Sequence, residues 1–162
     1  MDKIYFAKLK EDATIPSKRE EDGDYDVYAC FEENSKVIPA HNTVTIPTGI
    51  MSAFSDKYKI ALEERGSTGI RGMAIRAGEI DSGFRGEWFV AINNTNEKDI
   101  IIHKHVIKPI ETSEYLFYPY SKAICQAGLV EVPKVEVIEK SPEELKAMKS
   151  KRGEGCLGDS GK

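Results

Sequence analysis

Residues 65–87 read RGSTGIRGMAIRAGEIDSGFRGE, and the rest of the chain is best understood outward from this run. It opens on Arg65, Gly66, Ser67 and Thr68, is interrupted by Gly69, Gly72 and Gly78, and sets a lone acid, Asp81, between Ile80 and the Ser82-Gly83 pair. No packing requirement explains that combination. Glycine supplies backbone room where a ligand approaches closely, while Ser, Arg and a single carboxylate supply donors, positive charge and a base. The stretch predicts a charged, glycine-broken hairpin turn that holds a polyphosphate.

The flanks alternate with a period of two. Residues 57–62 (KYKIAL) and 88–92 (WFVAI) bracket the turn, and further short runs, many of them β-branched or aromatic, lie at 4–9, 27–31, 44–46, 100–102, 123–132 and 135–138. Turn residues such as Pro39, Pro47, Gly49, Gly83, Asn93, Asn94 and Pro133 separate them. This is an all-β pattern, a barrel or a sandwich. One helix is expected, starting at Ser141, where Ser-Pro-Glu-Glu offers an N-cap, proline at the first helical position and Glu144 to complete a capping box, and ending near Met148. The following KSKRGEGCLGDSGK is too rich in glycine to pack on its own. The chain therefore divides into a β domain, residues 1–150, and a mobile arm of the same domain, residues 151–162.

Composition narrows the function. The 162 residues suit one domain, and 40% hydrophobic with 31% charged residues is ordinary for a water-soluble protein. No apolar run is long enough to span a bilayer, and the leading MDKIYFAKLK has no signal-peptide core, so a cytoplasmic protein without membrane contact is expected. Cys30, Cys125 and Cys156 lack metal-ligand spacing and read as reduced thiols. A net charge of -4 argues against nucleic-acid binding but permits a compact anion held by a few local cations.

Other candidate motifs sort by spacing. Asp22, Asp24 and Asp26 alternate as in a calcium loop, but Val27 stands where the loop glycine belongs, which excludes an EF-hand. Carboxylates at a strand start can still steady Mg2+ through its waters. His103 and His105 face one side of a strand without a third ligand and read as a solvated face. In the arm, Arg152, Gly153, Gly155, Gly158, Ser160 and Gly161 offer a guanidinium, a hydroxyl and free N–H groups suited to a phosphate chain. It is not a Walker loop, because Cys156 stands where its first glycine should be.

Taken in order, these pieces resemble the trimeric deoxyuridine triphosphatase (dUTPase) family. Five blocks carry the resemblance: residues 22–27, with Tyr25-Asp26-Val27; 65–69; 78–86, reading GEIDSGFRG; 121–126; and 152–161. It implies a β-clip fold, a distorted jelly-roll barrel. It also implies a homotrimer with shared active sites that hydrolyses dUTP to dUMP and pyrophosphate with Mg2+. Asp81 would activate the water that attacks the α-phosphorus. Arg65, Ser67 and Gln126 would hold the phosphates, with Gly66 and Thr68 beside them and Asp26 steadying the waters of the metal. Gly78, Ile80 and Phe84 would face the nucleoside, the Phe84 ring lying under the deoxyribose where the family usually has Tyr. Arg152, Gly158 and Ser160 would fold over the γ-phosphate.

The chain departs from the family at several points. Gly66 follows Arg65 where the family commonly has Ser, which leaves open whether Ser67 or Thr68 bridges the phosphates. Ser121 and Ala123 replace a Gly and an Arg, Leu157 replaces an aromatic, Asp159 adds negative charge, and Ile75 lies nearest the place of the usual uracil-reading Asn. Related dCTP deaminases need a catalytic Glu on the strand after the third block; aligned on Asn94, this chain has Ala91 there. A nucleotide-binding regulator with a protein partner is the alternative from another functional class.

Overall fold

A computed structural model describes residues 2–156. Strands β1 (Ile4–Lys8), β2 (Tyr25–Val27), β3 (Ser35–Ile38), β4 (Thr43–Pro47), β5 (Ile50–Phe54) and β6 (Tyr58–Glu63) precede a one-turn helix, α1 (Gly66–Gly69). Then come β7 (Met73–Arg76), β8 (Glu79–Ile80), β9 (Phe89–Asn94), β10 (Asp99–His103), β11 (Ile110–Glu111), β12 (Tyr115–Pro119) and β13 (Cys125–Glu131). Helix α2 (Pro142–Ala147) follows. The all-β expectation holds, with a second helical element that the alternation did not predict.

The strands form four sheets, ordered β1-β5, β11-β12-β10-β3, β2-β13-β6-β8 and β4-β9-β7. Alternation sets which side chains enter the core. In β9 the residues Val90, Ile92 and Asn94 point inward, and in β10 so do Ile100 and Ile102. Each fully buried aliphatic of this kind contributes about 1.5–3 kcal/mol. Trp88 lies at the centre of this packing. Its indole N–H donates to Ser52 Oγ at 3.1 Å, its carbonyl accepts from Thr48 Oγ1 at 2.7 Å, and Phe6 meets its ring edge-on. Buried Asn94 is fully used: its Nδ2 donates to the Ile38 and Lys98 carbonyls, and its Oδ1 accepts from Asn96.

The helix at Ser141 forms as expected. Ser141 Oγ accepts from the Glu144 amide at 3.1 Å, and the Glu144 carboxylate accepts from the Ser141 amide at 2.9 Å. The strand expected at 135–138 does not form. Its alternation needs a neighbouring strand, and nothing among the described residues lies beside it, so Val137 is 92% exposed. Residues 131–154, α2 included, are exposed throughout. Among the described residues no helix is long and apolar enough to cross a membrane.

Candidate functional site

Arg65, two residues past the end of β6, is extended and stands at the N-cap of α1. Thr68 turns inward to lock that turn: its hydroxyl accepts from the Arg65 amide at 3.0 Å and donates to the Arg65 carbonyl at 3.1 Å. Thr68 is fully buried, so Ser67 is the exposed hydroxyl of the turn. The Ser67 carbonyl is held by Arg71 Nη1 at 2.6 Å, and Arg65 Nη1 lies 3.4 Å from Ser67 Oγ. Arg65 Nε in turn pairs with Asp26 Oδ1 at 2.7 Å. Asp26 sits on β2 directly opposite Gln126 of β13, so pairing in the sheet brings the first, second and fourth sequence blocks to one place.

A cleft of about 790 Å³ opens there, lined by Arg65, Gly66, Ser67, Asp26 and Gln126 and rimmed by residues of the 17–24 loop. That loop is closed on itself by the Arg19 guanidinium, which grips both oxygens of Asp22 at 2.8 Å and holds the Asp22 carboxyl below its usual range. Lys18, Arg19 and Arg71 were not singled out from sequence. The Ser17–Asp26 bridge brings Lys18 and Arg19 to the cleft, and the fold of α1 sets Arg71 against the Ser67 carbonyl behind it.

Asp81 lies elsewhere. With Glu79, Ile80, Phe84, Glu87 and Phe89 it lines a separate hollow of about 250 Å³, and the two sites share no residue. The Phe84 amide donates to the Asp81 carbonyl at 3.1 Å, closing a turn on which Asp81 and the half-exposed Phe84 stand. The Phe84 ring lies over Gly86: a Cβ there would stand 2.6 Å from Phe84 Cζ, so any other residue would push the ring aside. Gly78, expected against the nucleoside, packs closely on β6: a Cβ there would stand 2.5 Å from the Leu62 carbonyl oxygen.

Arg152 lines neither site; its Nε donates to the Gly155 carbonyl at 2.6 Å. Gly158 and Ser160, like Leu157 and Asp159, lie outside the described residues. His103 and His105 sit with ring centres 5.5 Å apart. Among the described residues no three His, Cys, Asp or Glu side chains gather as a metal cage. Asp22, Asp24 and Asp26 line the cleft, two of them already paired, Asp22 with Arg19 and Asp26 with Arg65. Burial pushes the Cys125 and Cys30 thiols up, which favours the neutral thiol at both.

The sequence profile of dUTPases matches residues 10–106, well over half of the chain. The chain belongs to the dUTPase family. A deoxyuridine 5'-triphosphate nucleotidohydrolase of Paramecium bursaria Chlorella virus 1 is 31% identical over 106 residues, covering 64% of this chain and 73% of that protein. A Leptospira interrogans protein of the same name is 26% identical over 104 residues, covering 62% and 71%. Among solved structures, the Staphylococcus bacteriophage 80alpha dUTPase with dUPNHPP superposes with a TM-score of 0.72 at 20% identity, covering 98% of both chains. The native EIAV dUTPase superposes at 0.63 and 18% identity, covering 86% and 98%. A point mutant of the phage phi11 dUTPase from S. aureus, described with a structural Mg(II) ion, superposes at 0.65 and 18% identity, covering 85% and 97%. These likenesses extend the shared fold well beyond the matched profile.

Proposed function

We propose that this dUTPase-family chain hydrolyses dUTP to dUMP and pyrophosphate, and that it does so as a homotrimer whose sites are shared between subunits. The observation that carries the second half is the separation of the two sites: the Ser67 cleft and the Asp81 hollow hold complementary halves of one reaction, yet no residue is common to both. A neighbouring copy presenting its Asp81 to the Ser67 cleft completes the site. The unpartnered apolar residues of the segment before the arm, Val135, Val137 and Ile138, support association between copies.

In this reading Arg65, Ser67 and Gln126 bind the phosphate chain, and Asp26 aims the Arg65 guanidinium by pairing with it. Asp81 accepts a proton from water as the water oxygen bonds to the α-phosphorus; the bond from that phosphorus to the bridging oxygen breaks, and pyrophosphate leaves. Asp26 would steady the waters of a Mg2+ carried in with the phosphates, and that ion would supply charge neutralisation there. Phe84 has no hydroxyl and selects deoxyribose by shape alone, with Ile80 behind it in the same hollow. Arg152, Gly158 and Ser160 of the arm close over the γ-phosphate and exclude water. Three free cysteines suit a reducing cytoplasm, where we place the protein.

Chromatographic product analysis after incubation with each deoxynucleoside triphosphate and Mg2+ tests the reading. The expected result is dUMP and pyrophosphate from dUTP and little from the others. Release of single phosphates, or conversion of dCTP to dUTP, would overturn it.

A further inference from the structure

The geometry points to Arg85 as a positioning residue for the Asp81 turn. The inference rests on the dUTP hydrolysis proposed above and assigns a role to a side chain that touches no reacting atom. Arg85 Nη1 donates to the Ser82 carbonyl at 2.6 Å and to the Phe84 carbonyl at 2.9 Å, the two carbonyls flanking Gly83 at the tip of the turn. The same nitrogen reaches the Ser52 carbonyl on β5 at 3.5 Å, a long contact that aims the turn toward the core more than it holds it.

Ser52 is itself fixed. It is buried, and its Oγ accepts from the indole of Trp88. A continuous path therefore runs from the packed centre of the molecule through Trp88, Ser52 and Arg85 to the turn that carries Asp81 at one end and Phe84 at the other. Carboxylates lie near in sequence, Asp81 and Glu87 among them, yet the guanidinium is committed to main-chain carbonyls. Apart from the Phe84 amide bond to the Asp81 carbonyl, a glycine-containing turn between a two-residue strand, β8, and Trp88 has little to hold its shape.

Two groups depend on that shape at once: the carboxylate that must meet water and the ring that must meet the sugar. Small displacements of a reacting group are costly, on the order of a hundredfold for about 1 Å. Loss of the Arg85 contacts should therefore lower turnover and loosen sugar selection together, with little effect on phosphate binding, which belongs to the other cleft.

The test uses the full-length protein with Arg85→Met, which keeps the apolar length and removes every donor, and Arg85→Lys, whose single ammonium can replace part of the contact. Expected for Arg85→Met is a fall in kcat of about tenfold to a hundredfold, with affinity for a non-hydrolysable dUTP analogue within about threefold of wild type. Its preference for dUTP over UTP should fall by about tenfold, and Arg85→Lys should recover part of both. Amide exchange across residues 82–86, read by mass spectrometry, should speed up in Arg85→Met and not elsewhere. Wild-type kcat and wild-type sugar preference in a folded Arg85→Met protein would overturn the inference. So would a kcat loss no larger than the loss of folded protein. Wild-type protein that fails to turn over dUTP would sink the proposed function instead; unchanged exchange in the turn would still sink the positioning role.

Discussion

Ser67→Ala subunits mixed with Asp81→Asn subunits should recover activity that neither shows alone. The expectation follows from geometry: the cleft that holds Ser67 and the hollow that holds Asp81 share no lining residue within one chain. If each site takes Ser67 from one subunit and Asp81 from the next, random assembly of equal amounts gives each site an intact Ser67 about half the time. The same holds independently for Asp81, so about a quarter of the sites carry both. Asp81→Asn alone should keep fold and assembly while losing turnover on the order of a hundredfold, as for loss of a general base. The variants are co-refolded, mixed trimers are confirmed by native mass spectrometry, and pyrophosphate release is measured per site. If one chain supplied both groups, every chain would carry a lesion and no site could be whole. Mixed trimers with activity no higher than the average of the two parents would therefore refute the sharing of sites.

Gly78→Ala should destabilise the protein by about 1–3 kcal/mol through overpacking, because its Cβ would meet the main-chain carbonyl of Leu62, which cannot swing aside; an unchanged Tm refutes this. Gly86→Ala should push the Phe84 ring from its seat and raise use of UTP relative to dUTP with only a small change in Tm, and an unaltered ratio of the two kcat/KM values would count against the ring as the sugar filter. Maleimide at neutral pH should label the native protein at exposed Cys156, while buried Cys30 and Cys125, whose thiols burial holds neutral, should label only after denaturation. Intact-mass measurement distinguishes the outcomes, and labelling of Cys125 in the folded protein would contradict its burial.

The sequence by itself determined the elements that local chemistry controls. Alternation at 57–62, 88–92 and 100–102 marked β6, β9 and β10 because a half-buried strand must present every second residue to the core. Ser141 and Glu144 set the start of α2 because a capping box is complete within four residues. The resemblance to the dUTPase family grouped Arg65, Ser67 and Gln126 in advance, and the fold brings these three to one cleft. Tertiary structure decided everything that depends on what lies across the fold. Only the pairing of β2 with β13 brings Asp26 opposite Gln126, and only burial of Thr68 against the Arg65 backbone leaves Ser67 as the exposed hydroxyl. The alternation at 135–138 looked like a strand because its residues suit one, but a strand exists through its neighbour, and the described chain provides none. The placement of Asp81 and Ser67 is of the same kind: both stand in one short stretch of sequence, and the folded chain sets them in separate hollows.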